Sequence, residues 1–221
     1  MPRTPLALVL ASASPARLAT LRAAGVEPLV RVSGVDEDAA VAAAQEALDV
    51  PLAAGDVALL LARAKAEDVV AHLGAEDDGA ALVLGCDSVL ELDGEVHGKP
   101  ADAAEATARW RRMRGSSGTL HTGHWLVDLR DPADGGSGGL VGATASTVVH
   151  FADLSDDEVD AYVATGEPLR VAGAFTIDGL GAPFVAGIEG DHTNVVGISL
   201  PLLRELVREL GIPWHALRRD G

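Results

Sequence analysis

Cysteine is nearly absent from this chain. Of 221 residues only Cys86 carries a thiol, which excludes an intrachain disulfide framework and a zinc site built from several thiolates. Aromatic residues make up 3% of the sequence. Ala, Val and Leu must therefore fill the core, and Trp110, Trp125 and Trp214 form no stripe on which bases could stack. Positive charge is scarce as well. With 17 Lys and Arg against 33 Asp and Glu the formal net charge is −16, and no broad basic surface for polymeric nucleic acid or an anionic membrane can be assembled from that balance. The apolar run "LALVLA" near the start is far shorter than a membrane span and lacks the flanks of a signal peptide, so the cytoplasm is the expected location.

Several motifs are missing too. There is no Gly-x-x-x-x-Gly-Lys-Ser/Thr loop, no dinucleotide fingerprint, no H-E-x-x-H pair and no G-x-S-x-G elbow. His121 and His124 lie three apart in a strand region and so face opposite sides, and His97 and His192 read as loop residues. None of this excludes a small phosphorylated ligand, which needs only a few local donors and a divalent cation that carboxylates can hold. Lysine is limited to Lys65 and Lys99, which makes the placement of each informative.

What is present reads as a folded α/β chain, 48% hydrophobic and 23% charged. Residues 6–11 are an apolar run of strand length, read as a central strand. Ser14-Pro15 supplies an N-cap and a proline at the first helical position; Leu18 and Leu21 fall on the buried side of that helix and Gly25 ends it. "PLVRVSGVDED" reads as a strand and then an acidic loop. Ala53 to Leu73 has helical periodicity, with Val57, Leu60, Leu61, Ala64 and Val69 or Val70 inward. A turn at "EDDGA" (76–80) precedes the strand "ALVLGCDSVLEL". "DGEVHGKP" opens on an Asp-Gly turn and holds Lys99 in non-helical backbone before Pro100. Asp102 with Glu105, and Ser155 with Glu158, have capping-box spacing. Between the strand-rich stretches "TLHTGHWLVDL" and "GATASTVVHFADL", residues 130–142 read as a glycine-rich surface loop. "PLLRELVREL" is a closing helix ended by Gly211. The irregular alternation predicts a mixed α/β fold rather than a repeated crossover unit.

Asp87 is the leading candidate for chemistry. It follows "ALVLG" at what reads as the carboxyl end of a buried strand, where open α/β sheets place ligand groups; a carboxylate there is paired or metal-bound, or else caps a turn. Glu37, in "SGVDED", either shares a magnesium ion with Asp87 or belongs to a solvated acidic run. Lys65 borders the apolar stripe of its helix, so its stem crosses that face toward a cleft or pairs with a surface acid. Lys99 sits in a constrained turn close in sequence to Asp87, and its compact charge suits phosphate. Arg17 is either ordinary surface charge or one side of an anion cradle with the hydroxyls of Ser12 and Ser14 and the helix-start N–H groups. Cys86 alternates away from Asp87 and reads as a core thiol.

Five segments in order, "LVLASASPARLATLRAAGV", "VSGVDED", "LARAKAEDVV", "LVLGCDSVLELDGEVHGKP" and "YVATGEPLRVAGAFTIDGLGAPFVAGIEGDHTNVVGISL", resemble the Maf family of nucleoside triphosphate pyrophosphatases from about Leu8 to Leu210. The resemblance implies one domain of two closely packed lobes, an elongated mixed sheet flanked by helices with a substrate cleft between them (Maf/ITPase-like), and a homodimer. It implies hydrolysis of the α–β phosphate bond with Mg2+ or Mn2+, Asp87 as proton acceptor, Glu37 and Asp87 toward the metal, and Ser12, Ser14, Arg17, Lys65 and Lys99 toward the triphosphate. Departures fall where the family sets specificity: Ala16 in place of the first of two arginines, Ser88 in place of Thr, and Val171 and Asp178 where members acting on thymidine and uridine triphosphates carry Lys and Gln. Arg114 and Gly118 replace a serine and a histidine of another family segment. The pyrimidine preference therefore does not carry over, and Asp178 has the chemistry to accept from guanine-like N–H donors. Two other expectations stay open: a house-cleaning pyrophosphatase for modified nucleotides, and a nucleotide-binding regulator of cell division.

Overall fold

The computed structural model describes residues 5–74, 77 and 79–219. A seven-stranded mixed sheet runs in the order β2-β1-β3-β5-β6-β7, with β4 paired to the far half of β3. The strands are β1 (Ala7–Ala11), β2 (Leu29–Val30), β3 (Ala80–Leu92), β4 (Glu95–His97), β5 (Ser117–Asp128), β6 (Leu140–Phe151) and β7 (Val185–Glu189). The helices are α1 (Pro15–Ala23), α2 (Glu37–Leu48), α3 (Ala54–His72), α4 (Ala103–Met113), α5 (Asp156–Ala164), α6 (His192–Val196) and α7 (Leu200–Glu209). Among the described residues no helix is long and apolar enough to cross a membrane.

The register of β3 creates the opening that matters. On one flank β3 pairs continuously with β5, from Leu82 opposite Asp128 to Glu91 opposite Thr119. On the other flank β1 runs parallel to it only as far as Ala11 opposite Gly85, and β4 joins antiparallel only from His97 opposite Leu90. Among the described residues no strand pairs with 86–89 on that side. Asp87 therefore lies in the middle of a long strand, not at a strand's carboxyl end as its sequence position suggested; it is β1 that ends there. β1 itself is interior but stands one place from the sheet edge rather than at its centre.

Helix α3 lies hard against this part of the sheet, because two glycines admit it. A Cβ on Gly85 would stand 2.0 Å from the Ala62 carbonyl oxygen, and one on Gly123 would stand 2.2 Å from that of Ala58. The sheet-facing stripe is accordingly built from Ala58, Ala62 and Ala66 with Val57, Leu61 and Val69, while Leu60 and Ala64 are only half-buried. Periodicity pointed to the larger side chains, but contact with a bare glycine backbone selects the smallest. Gly85→Ala is expected to destabilise the fold by about 2 kcal/mol, since the clash is with helix backbone that cannot rotate away; the urea unfolding midpoint measures it, and an unchanged midpoint would mean that α3 does not sit this close.

Other expectations are settled locally. The "acidic loop" is a helix start: Asp36 accepts from the Ala39 N–H at 3.0 Å, and Glu37 and Asp38 occupy the first turn of α2. Ser155 and Glu158 form the reciprocal box at α5. Asp102 caps α4 by accepting from the Glu105 N–H, but the Glu105 carboxylate turns outward to the Ala101 N–H, so only half of that box forms. The surface loop is shorter than 130–142, because β6 begins at Leu140. Asp128 anchors it by accepting from Arg130 and from the N–H and hydroxyl of Ser137. The turn expected at 76–80 falls partly on residues 76 and 78, which lie outside the described residues.

Apolar packing divides along the sheet. One cluster joins Leu8, Leu10, Leu84, Cys86 and Leu126 to α7. Another gathers Leu90, Leu120, Val149 and Phe151 around the fully buried Trp110, with Tyr162 and Phe184 edge-on or tilted to their ring neighbours. Between them runs a polar seam of buried Thr122, His124, Asn194 and Ser199. The opening beside Asp87 is at one end of that seam.

Candidate active site

An arginine fills the gap in the sheet. Ser14 accepts from the Arg17 N–H at 3.3 Å with Pro15 at the first helical position, and the helix so started directs Arg17 inward, where it is 9% exposed. Its Nε donates to the Gly197 carbonyl (2.7 Å), Nη1 to Ser12 Oγ and to the Cys86 carbonyl (2.9 Å each), and Nη2 to Ser88 Oγ (3.0 Å). Four of the five guanidinium N–H groups are spent on protein, so Arg17 is not surface charge; it ties the β1–α1 loop, β3 and the turn after α6 together and keeps one donor free. Ser12 Oγ also accepts from the Ser14 N–H at 3.2 Å. Both serine oxygens act as acceptors toward the chain, which leaves their own hydroxyl protons for an anion.

Across the gap, α3 delivers Lys65 to Asp87. Lys65 Nζ stands 2.5 Å from Asp87 Oδ1 and 2.7 Å from Glu37 Oε1. Among the described residues no protein donor reaches Asp87 Oδ2. Burial pushes the Asp87 carboxyl above the usual carboxylate range, against the opposing pull of the Lys65 and Arg17 charges. Glu37 balances the other way. Burial raises it, but the Lys65 hydrogen bond and the charges of Lys65, Lys99 and Arg17 hold it below its ordinary value. Two neighbouring carboxylates with pKa values driven apart give one group able to take a proton and one that stays a fixed charge.

These groups line one cavity of about 1110 Å³, which also receives Ala16, Ser88, Lys99 and Asp178. Every site residue named from the sequence reaches it. Lys99 is exposed on the loop after β4, and that loop is held by the Gly98 carbonyl, which accepts from Arg109 Nη1 (2.6 Å) and the Gly173 N–H (3.1 Å). Asp87 and Ser88 point to opposite faces of β3, yet both face the cavity because it opens at the edge of the strand. Sequence reasoning missed Glu167 and Arg170, which line the same cavity; both stand inside the quoted "TGEPLR" stretch, where turn residues gave no sign of direction. Cys86 is fully buried, and burial pushes its thiol up to about 12, as suits an inert core residue. Buried His124 is neutral: Nδ1 donates to the Thr122 carbonyl, Nε2 accepts from the Ser199 N–H, and burial lowers its pKa to about 4.

The description "Maf-like protein" matches residues 7–210 of the chain. The chain belongs to the Maf family. It is 59% identical to a nucleoside triphosphate pyrophosphatase of Salinispora tropica, over 98% of this chain and 89% of that protein. It is 58% identical to one of Streptomyces coelicolor, over 92% and 90%. A third, from Leifsonia xyli, is 56% identical over 95% of each. A solved nucleoside-triphosphatase / dITP/XTP pyrophosphatase of Mycobacterium abscessus is similar at 16% identity, covering 93% of this chain and 95% of that one with a TM-score of 0.40. In this Maf protein four of the six departures noted in the sequence, Ala16, Ser88, Val171 and Asp178, line the cavity; Arg114 and Gly118 do not.

Proposed function

We infer that the chain is a nucleoside triphosphate pyrophosphatase, which adds water across the α–β phosphate anhydride to give nucleoside monophosphate and pyrophosphate. The observation that carries this is the cluster of buried Asp87 and Lys65 with half-buried Glu37, in a cavity large enough for a nucleotide and flanked by unspent donors. Its likeness to proteins named for that activity extends over nearly the whole chain. Asp87 accepts a proton from the attacking water as the bridging P–O bond breaks. Its raised pKa makes it a stronger base than an exposed aspartate. The third N–H of Lys65, the free N–H of Arg17, Lys99 and the hydroxyls of Ser12 and Ser14 bind phosphate oxygens. Local cations do this work in a chain of net charge −16 because the repelling acidic charges elsewhere are screened beyond about 8 Å.

A divalent cation fits this donor set. Glu37 and Asp87 each give one oxygen to Lys65 and keep another, and two hard carboxylate oxygens plus substrate phosphates are what Mg2+ or Mn2+ takes. When bound, such a cation neutralises phosphate charge and lowers the pKa of water. The test is pyrophosphate release from a panel of canonical and modified triphosphates. Pyrophosphate with nucleoside monophosphate is the expected product pair; diphosphate with orthophosphate would place cleavage at the terminal phosphate and overturn the assignment. Val171 and Asp178 stand on the cavity wall, so no preference for thymine or uracil carries over from the family, and the same panel reads the preferred base directly.

A further inference from the structure

One carboxylate in the cavity wall organises a whole loop. Glu167, half-buried before Pro168, accepts four hydrogen bonds. Thr176 Oγ1 (2.6 Å), Tyr162 Oη (3.1 Å) and the Gly181 N–H (3.1 Å) donate to Oε1, and the Leu180 N–H (3.1 Å) donates to Oε2. Residues 176–181 are therefore wrapped around a single side chain that crosses from the segment before them. The fit is close: a Cβ on Gly179 would stand 2.6 Å from Glu167 Oε2, and one on Gly181 would stand 2.4 Å from Tyr162 Oη. At the crest of this loop Asp178 and Leu180 are exposed and line the cavity. Among the described residues no hydrogen bond or ion pair takes up the Asp178 carboxylate.

Charge decides which part of a substrate this wall meets. The wall carries Glu167 and Asp178 against the single Arg170, together with apolar Phe175 and the 58%-exposed Leu180. The serines, Arg17, Lys65 and Lys99 come from other segments. A triphosphate goes to the cations, so the wall with two carboxylates receives the uncharged end of the molecule.

We propose that Glu167 is a positioning residue for nucleobase selection, fixing the 176–181 loop so that Asp178 and Leu180 meet the base; this rests on the nucleoside triphosphate reading given above. Selection by hydrogen bonding is strong only when the selecting group is held in place. Glu167 is the group that holds it. The Gln variant keeps the size but puts an amide NH2 where one carboxylate oxygen was. With three donors on Oε1, the NH2 takes the Oε2 place and faces the Leu180 N–H, so the lost contact falls beside Asp178.

The experiment compares wild type with Glu167→Gln on ATP, GTP, CTP, UTP and dTTP, and measures inhibition by inorganic tripolyphosphate, which has no base. Expected are a roughly tenfold rise in KM for the preferred nucleotide and a matching collapse of the best-to-worst kcat/KM ratio. kcat should stay within about threefold, and the tripolyphosphate inhibition constant should be unchanged. Tyr162→Phe, which removes one donor and leaves the ring packed, should move selectivity the same way by about threefold, and it carries the test if Glu167→Gln does not fold. Selectivity that survives in the folded variants, or tripolyphosphate inhibition that weakens in step with KM, overturns the proposal alone. A wild type that releases pyrophosphate from none of the five triphosphates overturns the underlying reading, and the proposal with it.

Discussion

Asp87→Asn is expected to lower kcat about a thousandfold while leaving the fold intact. The size of the loss follows from what a positioned general base contributes, about 10²–10⁴ in rate. The variant isolates that role because asparagine has the same shape and can still accept from Lys65 through Oδ1, which stands 2.5 Å from Nζ. KM should move only a few-fold. Stability should not fall, and the sign can be worked out. Burial raises the Asp87 pKa in the folded state above its unfolded value. The folded chain thus binds that proton more tightly than the unfolded chain. Stability from this group is present below the unfolded pKa and lost as pH rises through the folded one, so above that range the ionised aspartate is a burden that asparagine does not carry. The melting temperature of the variant at pH 7 should stay close to that of the wild type, since relief of the buried carboxylate offsets the pairing Lys65 loses and Glu37 still faces its ammonium. The pH profile supplies a second reading: wild-type kcat/KM should fall on acidification with a midpoint above the ordinary aspartate value of about 3.9, and that limb should vanish from the residual activity of the variant. A folded variant with undiminished pyrophosphate release would remove Asp87 from the chemistry.

The sequence made this residue visible because a buried apolar run interrupted by one acid has few explanations. "ALVLGCD" delivers the carboxylate into the core whether the strand stops there or, as it does, continues to Leu92. Lys65 was legible for a related reason, as a charge on the margin of an apolar helical stripe. What escaped were features fixed by a partner far along the chain. Nothing near Gly85 or Gly123 announces that a helix carbonyl will rest on each. Helix α2 has no buried residue and so shows no apolar period; its clue was chemical, an Asp cap followed by acids in the first turn, and those residues look the same in a solvated loop. Arg17 could be placed on its helix but not given its four bonds, three of which reach residues 69, 71 and 180 positions away. Glu167 was invisible for the same reason in reverse, since its partners lie on a loop whose path depends on it.

Lys65→Met tests whether the cluster works as a unit. Methionine keeps the unbranched stem that α3 threads beside the sheet but removes the ammonium between two carboxylates. Removing one partner of a buried pair typically costs about 3–5 kcal/mol, because the other charge is left without compensation. Asp87, 7% exposed, is that partner; Glu37, with its side chain 43% exposed, adds little after solvent screening. A loss of about 3 kcal/mol at pH 7 is therefore expected in urea unfolding. The Lys65 charge is the largest influence favouring ionised Asp87, so without it the carboxyl pKa rises further and more of the group is protonated near neutrality. Two consequences follow. Acidification to pH 5 should restore much of the lost stability relative to wild type, since a neutral Asp87 needs no partner. The surviving activity, reduced about a thousandfold with a phosphate donor gone and a base more readily protonated, should have its acid limb displaced to higher pH. Adding Asp87→Asn to Lys65→Met removes the uncompensated charge altogether, so Asp87→Asn should raise stability at pH 7 by more in the Lys65→Met background than in the wild type. Were the effects of the two substitutions instead simply to add, Lys65 and Asp87 would be acting independently, and the short contact between them would have no energetic meaning.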